Sequence, residues 1–307
     1  MINRLLIRIK VVQLVYAFMQ SHSAAYNSRE ELMRSLESAY KLYNYLLALV
    51  VKITDYRREQ LEAAQNKYMP TEEERYPNMR FVENQLAALI RNRSGILAYC
   101  EEHELLDDFD TDLYRSLLGD LMQTPTYLAY MEKSSAPNFD EEKAMWREFF
   151  TTVIPNNKDL DQTIENKDLY WNDDLSVVNS FVVKTLQRVK LTDETLITSP
   201  MFRCEEDRHF AMDLYDAAVS HFSEYMGYID KLANNWDLNR IAHMDRIILI
   251  CAMAEIVTFP DIATNVSINE YIELAKHYST PSSSRFINGI LDRFVKSKRE
   301  EGVIFKA

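Results

Sequence analysis

Arg4 and Arg8 stand one helical turn apart near the start of the chain, with Lys10 farther round. Cations at that spacing project the same way and can follow the phosphates of a nucleic acid, although they serve equally as a solvated face. A second pair, Arg285-Phe286, follows the serines 282–284. An arginine beside an aromatic ring suits single-stranded RNA, the guanidinium meeting a phosphate and the ring stacking on a splayed base. Phe286, Ile290 and Phe294 also recur at the spacing of a buried helix face, so core packing is the competing reading. The residues alone leave both open.

Other chemistry finds little support. The chain has no G-x-x-x-x-G-K-[ST], G-x-G-x-x-G or G-x-S-x-G motif, and its five dispersed glycines cannot form a phosphate cradle. Glu206 and His209 make one Glu-x-x-His, half of a di-metal signature with no second copy, and read as a helix-surface pair. Glu101–Glu102 and Asp107–Asp108 are adjacent carboxylates that diverge on a helix. Cys100, Cys204 and Cys251 are far apart and read as buried thiols of a reducing compartment. No enzymatic activity, cofactor or metal is expected.

Few turn formers, five glycines and eight prolines in 307 residues, together with long periodic stretches, imply an all-α protein. The net charge of −12 argues against broad nonspecific binding of nucleic acid. The charge is uneven, however. Residues 285–299 hold five cations against Asp292 alone, while acids gather at Glu72–Glu74 and Glu101–Asp112. A local RNA footprint on an acidic protein is therefore permitted. No apolar run reaches the roughly 18–20 residues of a membrane span, and Arg8 and Lys10 interrupt the apolar N-terminus, so the cytoplasm is the expected compartment.

The elements that must position these residues follow from periodicity. Helices are predicted near 3–20, 28–65, 80–100, 112–122, 140–153, 173–189 and 206–232, followed by three more at the C-terminal end. Leu32, Leu36, Ala39, Tyr43, Leu46, Val50 and Ile53 form one long stripe, which makes the second helix a spine. Pro125, Pro137 and Pro155 read as punctuation. The loop at Thr198–Pro200 divides an N-terminal region, 1–200, from a C-terminal domain, 201–307. Ser267 and Glu270 read as a capping box that starts a helix, and Pro281 behind Thr280 starts the last one.

Residues 235–299 carry Trp236, Arg240, Asp245, Arg246, Glu255 and Pro260, then Asn269, Glu270, Glu273, Ala275, Lys276, Phe286, Asn288, Gly289, Leu291 and Asp292. Wording and spacing closely resemble the C-terminal half of the NusB family of bacterial transcription antitermination factors. Residues 1–20 resemble the family's first helix, where an arginine-rich motif precedes A-x-Q-A-L-Y; Val12–Tyr16 read VQLVY here. Arg4 and Arg8 fall on two of the arginine positions, but Leu5 and Leu6 occupy others, which lowers the expected RNA affinity. The resemblance implies two small helix bundles, with residues 21–207 as a helical expansion of unassigned function. It also implies binding of boxA-type RNA with the ribosomal protein NusE within the transcription elongation complex. Arg4, Arg8, Lys10, Arg285 and Phe286 would then contact RNA. Asp245 and Arg246 would cap or pair, Gly289 would allow close helix approach, and Asn269 and Asn288 would bond backbone or each other. One alternative is a NusB-like helical adaptor that has lost RNA binding. Another, an accessory domain of an RNA methyltransferase, is disfavoured because no Gly-rich cofactor segment is present.

Overall fold

A computed structural model describes residues 1–21, 29–93, 95–107, 110–192, 200–233 and 241–306. They are almost entirely helical, with no sheet among them beyond an isolated bridge between Ile2 and Phe202. The first elements are α1 (Arg4–Ser21), α2 (Arg29–Gln65), α3 (Glu72–Arg75), α4 (Gln85–Arg93) and α5 (Ile96–Glu102). Next come α6 (Thr111–Met122), α7 (Pro125–Glu132) and α8 (Phe139–Glu148), which runs on into a π turn, Phe149–Val153. The remainder are α9 (Lys158–Lys167), α10 (Trp171–Arg188), α11 (Glu205–Ser220), α12 (Phe222–Leu232), α13 (His243–Thr258), α14 (Thr264–Tyr278) and α15 (Ser283–Glu300). No helix among the described residues is long and apolar enough to cross a membrane.

Two compact units result: Met1 with Glu37–Met201, and Ile2–Leu36 with Phe202–Ala307. Helix α1, grouped on sequence with residues 1–200, belongs to the second unit, where it packs on α11 and α13.

The first unit is built on α2. Every residue from Leu42 to Val51 is buried, so this stretch is covered on all sides, as its apolar circumference requires. Trp171 on α10 donates its indole N–H to the Ser38 carbonyl at 3.0 Å and stacks at a tilt on Tyr45. Phe81, Trp146 and Phe149 form a second aromatic layer. Glu142, fully buried on α8, accepts the backbone N–H groups of Gln85 (2.8 Å) and Leu86 (3.3 Å) and so caps the first turn of α4 from another helix. Burial holds its carboxyl above the usual carboxylate range, against the pull of those amide bonds.

The structure departs from expectation at several local signals. Pro125 does not punctuate but occupies the first position of α7, behind Thr124, whose hydroxyl accepts the Tyr127 N–H. Asn157 caps α9 in the same way through Leu160 N–H, another helix the periodicity did not predict. The long helices expected at 80–100 and 206–232 are each two helices, the latter broken at His221. Cys204 is exposed; only Cys100 and Cys251 are buried, and burial pushes the Cys100 thiol up to about 12.

In the second unit α13 takes the central place, buried continuously from Ile247 to Ile256 and packed by α1, α11, α12, α14 and α15. Helix α14 starts at Thr264 and not at a Ser267 cap. Ser267 is instead buried within it, donating to Glu255 Oε1 at 2.7 Å. Helix α15 is assigned from Ser283, with Thr280 N–H meeting the Ser283 hydroxyl at 3.2 Å across Pro281.

Candidate nucleic-acid interface

The cations of α1 diverge in fate within one helical turn. Arg4 is half exposed and pairs with Asp207 of α11 at 3.3 Å. Arg8 is 4% exposed and makes a bidentate pair with the fully buried Glu255 of α13, at 2.8 Å from both Nε and Nη2. Its Nη1 reaches Glu270 of α14 at 3.1 Å. Both guanidinium groups lie over the Phe210 ring, at 4.9 and 5.5 Å from its centroid.

Burial works against the charge of Arg8, but the bonds and charge of Glu255, with the charges of Tyr271 and Glu270, together outweigh it and hold the group above its ordinary value. Tyr271, fully buried nearby, has its phenol pushed well above its usual range by burial and then by the Glu255 charge. This cluster ties α1, α13 and α14 together. A buried pair of this geometry costs about 3–5 kcal/mol when one partner is removed, because the other charge is left unpaired.

The direct RNA contacts expected of Arg8, Lys10 and Phe286 conflict with these positions. Arg8 is committed to two carboxylates, Lys10 is 1% exposed and Phe286 is 4% exposed. Phe286, Ile290 and Phe294 form the buried face of α15, with Phe294 packed edge-on against Tyr228, so the core reading of that stripe is the one realised. A spacing of three and four residues cannot by itself separate stacking from packing; the burial of the whole face does.

Arg285, by contrast, is exposed, and it has company that the sequence reading did not single out. At about 100° per residue, Arg285, Lys296 and Arg299 fall within about 60° of one another on the outer face of α15. All three are exposed. Lys296 and Arg299 line a pocket of about 280 Å³ with Asn265, Asp292 and Glu300. Arg299 also donates to the Lys306 carbonyl at 3.0 Å. Arg293 is directed elsewhere, onto the Leu232 carbonyl at the end of α12. The signal that could have found this face was the excess of cations in 285–299, read on a helical wheel.

The remaining family-matched positions divide in the same manner. Asp245, buried in the first turn of α13, accepts the hydroxyls of Ser279 (2.6 Å) and Ser283 (2.9 Å), joining the approach to α15 to α13. Gly289 is not a point of close approach: a Cβ built there meets nothing within 4 Å. Asn269 is exposed, and Asn288 bonds Asp292 on its own helix at 3.3 Å, not Asn269. Trp236 and Arg240 lie outside the described residues. No group of three or more metal-ligating side chains occurs among the described residues.

The sequence profile of the NusB family matches residues 179–296. A transcription antitermination protein NusB from Salinibacter ruber is 34% identical over 132 residues, 41% of this chain and 82% of that protein. Counterparts from Chloroherpeton thalassium and Dictyoglomus turgidum are 38% and 42% identical over 100 residues each, covering 33% and 31% of this chain. Those matches span 47% and 69% of the two proteins. No solved structure matches.

Proposed function

Because the chain belongs to the NusB family, whose members are non-catalytic regulators, we propose that it is an enlarged antitermination factor. In this reading it binds boxA-type single-stranded RNA together with NusE in the cytoplasm and supports processive transcription of ribosomal RNA operons. The observation that carries the reading is the likeness to the Salinibacter ruber protein over 82% of its length. Residues 21–207, or most of them, are then an expansion of the family's helical plan.

The RNA surface is drawn from the exposed cations: Arg4 on α1, and Arg285 with Lys296 and Arg299 on α15. The α15 cations extend over about 21 Å at 1.5 Å per residue, a length suited to an extended backbone and not to a single phosphate. Arg8, Lys10 and Phe286 act beneath this surface by holding α1 and α15 in place. The test is anisotropy of a labelled boxA-like oligomer, with and without NusE, across a salt series. Three to four phosphate contacts predict a slope of log affinity against log salt of about −2 to −3 for a single strand, at ~0.7 per contact. A flat salt response, or tight RNA binding indifferent to NusE, contradicts the proposal.

One observation favours a second reading. Three of the five expected contacts are buried, as a NusB-fold adaptor that has given up RNA would show. Co-purification of NusE with no RNA binding under any salt condition would select it.

A further inference from the structure

Between α2 and the segment that leads to α4, the chain makes a turn that is tied at several points. Asn66 N–H bonds the Glu62 carbonyl at 3.1 Å, and Gln65 Nε2 reaches the Arg75 carbonyl at 3.3 Å. Lys67 pairs with Glu74. Thr71 and Glu74 cap each other reciprocally, at 3.2 Å to the hydroxyl and 3.0 Å to the carboxylate. Beyond it, Asn78 anchors to the Met131 carbonyl at 3.1 Å. These ties bring residues 65–67 against 74–75 and hold one conformation.

That conformation exposes apolar side chains. Tyr68 is fully exposed, Met69 is 82% exposed and Tyr76 is 75% exposed. Single exposed apolar residues are ordinary on a protein surface. Three on one hydrogen-bonded turn are different, because a pre-ordered aromatic presents contact area with little entropy left to lose. Tyrosine and methionine are also among the residues enriched in protein interfaces. Near them in the chain stand the exposed carboxylates Glu59, Glu62, Glu72 and Glu73, against the exposed Lys67 and Arg75. The residues 37–201 as a whole carry 18 lysines and arginines against 29 aspartates and glutamates.

We propose that this turn is a docking site for a basic protein segment that carries apolar side chains, with Tyr68, Met69 and Tyr76 as anchors and the surrounding glutamates as the charge match. A nucleic acid would meet the wrong sign of charge here, and a second copy of the turn would place like charges together. The inference concerns a different unit from the RNA surface and stands or falls without it.

The experiment uses the full chain and a short synthetic peptide alternating lysine and leucine, with binding read by calorimetry. The triple variant Tyr68→Ser/Met69→Ser/Tyr76→Ser should weaken binding by about tenfold or more, the range lost when interface anchors are truncated. Glu72→Lys with Glu73→Lys should weaken it independently, chiefly through the association rate and at low salt. Leu128→Ser with Leu169→Ser, which removes exposed apolar residues elsewhere on the unit, should leave it unchanged. The proposal is overturned by any of three results: no binding of the lysine-leucine peptide, equal binding of a glutamate-leucine peptide, or equal losses in the Leu128/Leu169 control. Competition by a single-stranded oligonucleotide at this turn would overturn it as well. All substituted side chains are exposed, and an unchanged thermal melt confirms that each variant is folded.

Discussion

The two units solve the same packing problem with different electrostatics. Each surrounds a helical stretch that is buried on every side, residues 42–51 of α2 in the first and residues 247–256 of α13 in the second. The first unit carries almost all of the net negative charge of the chain. Residues 2–36 with 202–307 hold 17 lysines and arginines against 18 acids, compared with 18 against 29 in residues 37–201. The net charge of −12 therefore describes the first unit and not the second, and it says little about the face of α15, where cations gather. Most of the family match lies in the nearly neutral unit. The buried carboxylates differ too. Glu255 is matched by a buried guanidinium and a hydroxyl, whereas Glu142 is solvated by backbone amides and the Tyr130 hydroxyl.

The strongest way to break that contrast is to remove the cation. Arg8→Ala should destabilise the second unit by about 3–5 kcal/mol, since Glu255 is left buried without its partner. Chemical denaturation measures the loss, and exchange protection of the α13 amides should fall with it. Replacing the pair by apolar residues, Arg8→Met with Glu255→Leu, should recover much of the stability. A loss no greater than that of a surface arginine would show that the pair is not structural.

Phe286→Ala should cost about 3–5 kcal/mol of unfolding free energy through the cavity it leaves in the α15 face. RNA affinity, measured on the same folded variant at low temperature, should be little changed. The reverse pattern, intact stability with lost RNA binding, would restore the stacking role.

A smaller effect has the opposite sign. Gly289→Ala should stabilise the protein by about 1 kcal/mol, because the helix gains propensity and the new methyl group meets nothing. A raised melting temperature checks it; a drop would mean that a neighbour does approach this position.

The smallest effect belongs to the first unit. Glu142→Gln should cost less than about 1 kcal/mol at neutral pH, as an amide oxygen can still accept the Gln85 and Leu86 N–H groups. Its larger consequence is for pH dependence. A carboxyl whose value is raised on folding contributes stability that is complete below its ordinary value of 4.5 and is lost as pH rises through the raised one. Denaturation midpoints across that window should decline with pH in the parent, and this component of the decline should vanish in the variant.

What was legible in the sequence was what depends on neighbours along the chain. The stripe from Leu32 to Ile53 sits in the core at every position, and a chain with five glycines is almost entirely helical over its described residues. The capping box read at Ser267 and Glu270 does not start a helix, since α14 begins at Thr264. Ser267 and Glu270, spaced as a cap, serve Glu255 and Arg8 on other helices. Thr124-Pro125 and Asn157 did start helices, which the weak periodicity of those short segments concealed.

By itself the sequence determined the helical class, the long central helix, the uneven distribution of charge and the likeness to the NusB family, because composition, period and wording are properties of the chain alone. Only the tertiary structure decided the fate of each candidate contact. Arg4 and Arg8 are equivalent by type and spacing, yet one is half exposed and the other is locked to a carboxylate 247 positions away. The burial of a charged side chain is set by what packs against its helix face, and the spacing of two arginines does not carry that information.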